Sequence, residues 1–337
     1  MTSRVAVVTG GAGFIGSHAV DALVERGYRV RVIDDLRGGR LANLEGALAT
    51  GEVDFHECDI RALEPGSPAF EGADIVLHFA GIGDIVPSVE RPVDYIDTNV
   101  MGTVRVLEAS RAAGAQRLVY AASSSCYGAS PPVPTAEDAP ISTEYPYALS
   151  KYLGEQAAFH WMRVYGLPVN SIRIFNAYGR RSRTSGAYGA VFGVFLKQKL
   201  AGAPFTVVGD GSQGRDFVYV SDVAEAFVRA AETDLTGRIW NLGCSNPQSV
   251  NRLVELLQGP VVHLPKRPGE PEVTWANTDA IRRDLSWTPA VSFEDGVGMI
   301  LDDIHYWDEA PLWDVASIEK ATASWFEMLA KTDGASA

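Results

Sequence analysis

Val5-Ala-Val-Val-Thr-Gly10-Gly-Ala-Gly13-Phe-Ile-Gly16-Ser-His18 is the stretch on which the rest of the chain is organised. An apolar run, Val5 to Val8, leads into glycines spaced at three, and an amphipathic run with Phe14, Ile15, Ala19, Ala22 and Leu23 follows. The pattern predicts a buried strand, a tight turn and a helix. Gly10 permits the turn, Gly13 removes a side chain that would block a pyrophosphate, and Gly16 lets helix and strand pack closely. The first N–H groups of the helix and its positive end then face an anion. Glycine spacing alone is a weak signal, equally a tight turn. Its context is stronger: a second strand, Arg29 to Ile33, ends in Asp34-Asp35, about 20 residues on, where a dinucleotide fold places a carboxylate for the ribose hydroxyls. An acid there repels a 2′-phosphate, which favours NAD over NADP.

The chain has 337 residues, 46% hydrophobic and 21% charged, the composition of an ordinary globular enzyme and a length that expects one large domain or two intimately packed ones. No apolar run approaches the roughly 18 residues of a membrane helix, and the N-terminus opens directly on the first strand, so neither a membrane span nor a secretion signal is expected. Cys58, Cys126 and Cys244 are scattered and lack metal spacing; they fit buried thiols in a reducing cytoplasm. A net charge of −13 argues against nucleic acid as a partner. Locally the balance reverses: Arg180 to Arg215 holds six basic side chains and one acid, Asp210. For Lys197 and Lys199 a solvated face is the simpler reading; for Arg215 and the leading arginines an anionic substrate is at least as good.

Further strands are expected at Val53 to Ile60, reaching the acid Asp59; at Ala73 to Ala80, passing into Gly81; at Arg117 to Ala122, ending at Ser123-Ser124-Ser125; and at Pro168 to Phe175, ending at Asn176. A long helix is expected from about Val93 through Asn99 and Gly102 to Ala113, and another from Tyr147 to about Tyr165. Short buried strands alternating with such helices mean βαβ units and a parallel sheet. Ligands of such sheets sit outside the carboxyl ends of the strands, so Gly10, Asp34, Asp59, Ala80 and Ser123 should converge on one crevice. The expected architecture is α/β: a Rossmann-type doubly wound parallel sheet over residues 1–177, with later crossings back, and a smaller α/β substrate-binding lobe with C-terminal helices over 178–337. Trp313, Trp325 and Phe326 in the tail are expected to dock terminal helices.

Tyr147 and Lys151 lie one helical turn apart. An ammonium there can depress a phenol's pKa, and the lysine can also hold a nicotinamide ribose. The Ser123 hydroxyl would bond the same substrate oxygen, so the set could take a proton from an alcohol while a hydride leaves the adjacent carbon. A lone Tyr-x-x-x-Lys is usually a surface pair; the glycine loop, Asp34 and Ser123 in this order set it apart.

The chain resembles the extended short-chain dehydrogenase/reductase family, in its nucleotide-sugar epimerase/dehydratase branch. The likeness runs from Val5 to about Leu301. It is carried by Thr9-Gly-Gly-Ala-Gly-Phe-Ile-Gly16, His78-Phe-Ala-Gly81, Asn99-Val-Met-Gly-Thr103, Ser123-Ser-Ser-Cys-Tyr-Gly128, Tyr147-Ala-Leu-Ser-Lys151, Arg173-Ile-Phe-Asn176, Gly209-Asp-Gly-Ser-Gln-Gly-Arg-Asp-Phe217 and Arg267-Pro-Gly-Glu270. The resemblance implies that Ser123 and Tyr147 act on a sugar hydroxyl and that Lys151 binds the ribose of NAD. Asp59 and Ile60 would flank adenine; Phe79, Ala80, Gly81 and Asn99 would line the cofactor, with Gly10, Gly13, Phe14, Ile15, Gly16 and Asp34. Asn176, Arg215 and Arg267 would hold the substrate diphosphate, for which planar guanidinium groups are suited. Asp216-Phe217 reads as local packing.

The branch decides the reaction. Sugar 4,6-dehydratases place Asp-Glu directly after the catalytic hydroxyl residue, where this chain has Ser124 and Ser125, so dehydration is not expected. Glucuronate decarboxylases usually carry a glutamate at the position of Ser125. A 4-epimerase needs only oxidation, rotation of the 4-keto sugar and return of the hydride. Thr274, where hexose-only epimerases often carry tyrosine, would leave room for an N-acetyl group, and glucuronate also stays open, as do CDP and GDP beside the commoner UDP. Arg183, within the Arg180 to Gly189 loop, is a further candidate for the nucleobase or sugar. Epimerisation at another carbon, decarboxylation or reduction are the alternatives within the family, and an NAD-sensing scaffold is the non-enzyme alternative, which commonly loses the Ser, Tyr and Lys kept here. The family usually forms homodimers through the helices of Asn99 to Ala113 and Tyr147 to Tyr165, for which Val104, Leu107, Leu153, Phe159 and Trp161 are apolar candidates that serve equally as core.

Overall fold

A computed structural model describes residues 4–182, 191–266 and 270–329. Strands β1 (Val5–Thr9), β2 (Arg29–Asp34), β3 (Val53–Glu57), β4 (Ile75–His78), β5 (Arg117–Ser123), β6 (Val169–Ile174) and β7 (Ile239–Leu242) form one parallel sheet in the order β7-β6-β5-β4-β1-β2-β3. The chain runs outward from β1 to β3, then returns to place β4 on the other side of β1. That reversal opens a crevice at the carboxyl ends of β1 and β4. Register sets Thr9 beside both Ile33 and His78, and Ser123 beside Ile174, so the strand ends expected to converge do so. The last strand, β7, lies beyond residue 177 and crosses back to join β6.

Both faces of the sheet are covered, which is why its strands read as nearly continuous apolar runs. Strand periodicity sorts the side chains: Ala6, Val8, Val30, Val32, Ile75 and Leu77 pack on one face, Val7, Ile33, Val76 and Leu118 on the other. Helices α1 (Phe14–Glu25) and α4 (Val220–Glu232) cover the first, through Ala19, Val20, Leu23, Val223 and the fully buried Phe227. Helices α2 (Gly102–Ala112) and α3 (Pro146–Tyr165) cover the second, with Val106, Leu107 and Ala158. A large side chain such as Phe227 contributes on the order of 1.5–3 kcal/mol when buried this way. Helix α3 has proline at its first turn and ends on Gly166 in the left-handed conformation.

The helix expected from Val93 to Ala113 is broken into Pro92–Ile96, a π turn at Asp97–Met101, and α2. Such turns insert a residue and re-aim side chains, here that of Asn99. A second apolar cluster gathers Tyr178, Phe192, Phe195, Phe205, Phe217 and Phe293 with Trp307, around short strand pairs Asn176–Tyr178 with Phe217–Tyr219 and Phe205–Val208 with Val261–Leu264. The terminal helix α5 (Val315–Leu329) packs on the segment Ile85–Glu90. Among the described residues no helix is long and apolar enough to cross a membrane.

Candidate active site

Gly10 has φ +70°, and a Cβ there would lie 2.6 Å from the backbone nitrogen of Ala80. A Cβ on Gly16 would lie 2.1 Å from the carbonyl oxygen of Gly10. The loop therefore wedges between the ends of β1 and β4 only because those positions lack side chains. Helix α1 starts at Phe14 with no side-chain cap, its N-cap being Gly13, so its first N–H groups are left for a ligand.

In front of this loop lies a cavity of about 770 Å³. Gly10, Gly13, Phe14, Ile15, Gly16, Asp34, Asp59, Ile60, Phe79, Ala80, Gly81, Ser123, Tyr147 and Lys151 all line it. Asp34 is buried; its two oxygens accept the N–H groups of Ala12 at 3.0 Å and Leu36 at 2.9 Å. Burial pushes its pKa up, with those two bonds opposing. At the far end Asp59 accepts from Arg37 and from Arg61, whose Nη1 reaches Asp97 at 2.8 Å. The hydrogen bonds from Arg61 hold Asp59 down at about 2. Arg37, Arg61 and Arg181 line the cavity too; Arg181 is one of the leading arginines of the basic stretch expected to meet an anion, whereas nothing in the sequence pattern singles out Arg37 and Arg61.

Asn99 stands behind the cavity-lining Gly81. Presented by the π turn, it accepts from the N–H of Ile82 at 2.7 Å and donates to the carbonyl of Ile82 at 3.0 Å and to Ser150 Oγ at 2.9 Å. It fixes the Gly81-Ile82 wall and ties it to α3. His78 does similar work beneath the site, between Thr9 Oγ1 at 2.6 Å and Thr103 Oγ1 at 2.9 Å. Burial, helped by the Lys151 charge, lowers it to about 3, so the imidazole is neutral.

Helix α3 brings Tyr147 and Lys151 to the wall opposite Ser123. The Tyr147 phenol pairs with Ser123, and Ser123 Oγ donates to Ser125 Oγ at 3.0 Å. Ser125 is thereby tied to the cavity-lining Ser123. Lys151 is 8% exposed, with Nζ 4.6 Å above the centre of the Tyr120 ring. Burial lowers its pKa to about 8, while Glu155, one turn on, favours the charged form. Glu155 is itself paired with Arg173 of β6 at 2.7 Å, in a site where both side chains are almost fully buried. The expected depression of the Tyr147 phenol is not what the structure shows. Burial raises it, only the Ser123 bond lowers it, and the ammonium stands over Tyr120 instead.

Asn176, Arg215 and Thr274 meet at a second place. Thr274 Oγ1 donates to Asn176 Oδ1 at 2.6 Å and accepts from Asp216 N at 3.1 Å. Arg215 pairs with Glu270 at 2.9 Å and donates to the carbonyls of Gly214 and Pro271. Gly214, Glu270, Pro271 and Val273 line a cavity of about 470 Å³ beside them. Phe175 and Ala177, flanking Asn176, line the larger cavity, so Asn176 stands between the two. Asp216 is a packing carboxylate, as read: wholly buried, it accepts from the N–H groups of Cys244, Ser245, Asn246 and Ala276. Arg183 and Arg267 lie outside the described residues. No cluster of metal-ligating side chains occurs among the described residues.

A glycine turn into an uncapped helix, a buried acid closing β2 and a Ser, Tyr and Lys set around one long cavity define an α/β protein built for a dinucleotide. Residues 6–243 match the NAD dependent epimerase/dehydratase family. The UDP-glucose 4-epimerase of Mycolicibacterium smegmatis is 35% identical over 305 residues, covering 88% of this chain and 97% of that one. Two solved structures superpose with a TM-score of 0.83: UDP-glucuronic acid 4-epimerase from Bacillus cereus in complex with UDP-glucuronic acid and NAD (29% identical, 90% of this chain and 99% of that one), and UDP-N-acetylglucosamine 4-epimerase from Methanobrevibacter ruminantium in complex with UDP-N-acetylmuramic acid (28%, 90% and 100%). The chain belongs to the NAD-dependent epimerase/dehydratase family, and NAD is its cofactor.

Proposed function

We propose that the protein is a nucleotide-sugar 4-epimerase acting on a UDP-hexose, UDP-N-acetylhexosamine or UDP-glucuronate. The observation that carries this reading is the cavity end bounded by Ser123, Tyr147 and Lys151, with hydroxyls alone at Ser124 and Ser125. Bound NAD supplies a hydride acceptor that also returns the hydride. In its phenolate form Tyr147 Oη would take the proton of the sugar C4 hydroxyl and give it back as a phenol, Ser123 Oγ would hold the same oxygen, and Lys151 would hold the ribose. Asp34 takes the adenosine ribose hydroxyls. The absence of a carboxylate at Ser124 and Ser125 speaks against expulsion of a hydroxyl, which needs an acid and a base at neutral pH; against loss of carbon dioxide it speaks only through the glutamate that decarboxylases usually carry at the Ser125 position.

Arg215 takes the diphosphate by exchanging Glu270 for substrate oxygens, and Asn176 contacts the substrate between the two cavities. The sugars differ among the relatives, so three substrates are compared. The NAD-loaded protein is incubated with UDP-glucose, UDP-N-acetylglucosamine and UDP-glucuronate, and products are separated by chromatography with Tyr147→Phe as control. A C4 epimer from one of them, lost in the variant, supports the reading; an unchanged rate in the variant sinks it. Residues 1–177 would carry NAD and residues 178–337 most of the sugar nucleotide. Pairing as a homodimer would use the face of α2 and α3 where Leu149 and Leu153 are exposed, since Leu107 is core and Phe159 and Trp161 pack inward.

A further inference from the structure

Three aromatic rings run outward from the site. Tyr147 and Tyr145 stack, with ring centres 6.5 Å apart and planes 8° from parallel. Trp325 of α5 lies 6.0 Å beyond Tyr145. Trp325 is 7% exposed and packs on Val86 and Ile85, and the neighbouring Ser324 bonds Glu90 at 3.0 Å. The polar ends of the two tyrosines are joined as well. The Tyr145 hydroxyl pairs with Ser125, Ser125 with Ser123 at 3.0 Å, and Ser123 with Tyr147. Rings and hydroxyls therefore close a loop that a helix near the C-terminus buttresses from outside.

Docking of α5 by itself needs only an apolar contact such as Val86 with Trp325. It does not require a ring that stacks on Tyr147 and also holds Ser125. We infer that Tyr145 and Trp325 are positioning residues for Tyr147: Tyr145 fixes the phenol plane through the stack and the Ser123 rotor through Ser125, and Trp325 holds Tyr145 in place. The inference rests on the reading of Tyr147 as the proton carrier. Stacked aromatic geometry and a closed hydroxyl chain both restrict rotation, and a proton transfer is sensitive to displacements of an ångström.

The test uses the full NAD-loaded chain and the variants Trp325→Ala, Trp325→Phe and Tyr145→Phe. Ionisation of Tyr147 is read as the tyrosinate absorbance lost when Tyr147→Phe is added to each background. Trp325→Ala is expected to shift that ionisation by about half a unit or more, and to lower kcat about tenfold with KM little changed. Trp325→Phe should restore most of both. Tyr145→Phe keeps the rings and frees Ser125, and should lower kcat while NAD content stays at the wild-type level. If Trp325→Ala does not fold, Tyr145→Phe decides alone. An unchanged Tyr147 ionisation and unchanged kcat in a folded variant overturn the inference. Full turnover by Tyr147→Phe would instead sink the catalytic reading, leaving the ionisation data to judge the positioning role.

Discussion

Replacing Lys151 by methionine separates what the lysine costs the fold from what it gives the site. Burial lowers Lys151 from the ordinary lysine value of 10.5 to about 8. At about 1.4 kcal/mol per unit, the folded protein is destabilised by roughly 3 kcal/mol to keep that ammonium charged. The folded pKa lies below the unfolded one, so the penalty is complete below pH 8, shrinks as pH rises between 8 and 10.5, and is gone above. Methionine keeps the unbranched apolar stem against Tyr120 and removes the charge. Cofactor-free Lys151→Met should therefore be more stable than wild type at neutral pH by about 2–3 kcal/mol. That advantage should fade to near zero above pH 10.5, the ordinary value. Denaturant unfolding across this range measures it, and the difference between the two proteins cancels the titrations they share. A variant no more stable than wild type at neutral pH, or a difference flat in pH, would refute the reasoning.

Other outcomes follow from the same geometry. Gly10→Ala forces a Cβ against the Ala80 backbone at positive φ; it should cost about 1–3 kcal/mol in thermal unfolding and abolish tight NAD binding. Asp34→Asn leaves a weaker acceptor for the ribose and for Ala12 N–H, so calorimetry should show NAD binding weakened about tenfold or more, with discrimination against NADP reduced. Glu155→Gln strands the buried Arg173 guanidinium and should destabilise the fold by about 3–5 kcal/mol in denaturant titration, with the Lys151 pKa falling further.

The parts of the site legible in the sequence are those set by short-range pattern. The glycine loop, the acid closing β2 and the one-turn spacing of Tyr147 and Lys151 are local, and parallel topology carries strand ends to one edge without further information. Asn99 lies in the expected helical stretch, where a π turn aims it at Ile82 and Ser150, and nothing in a 3.6-residue period announces that turn. The Tyr147 phenol departs from its local pattern for a related reason. Spacing places Lys151 near Tyr147, while burial and the Tyr120 face decide its electrostatics. The Arg37, Asp59, Arg61 and Asp97 network and the Trp325–Tyr145 contact join segments remote in sequence, so only the folded chain reveals them.

The central claim is that the sugar's C4 hydrogen leaves as a hydride and comes back to the same carbon, with Tyr147 moving only the hydroxyl proton. UDP-sugars carrying deuterium at C4 test this directly, with product analysed by mass spectrometry and NMR. The account predicts a C4 epimer that keeps its deuterium, with none lost to water, and no product from Tyr147→Phe. Epimer formed with the deuterium exchanged into solvent would contradict it.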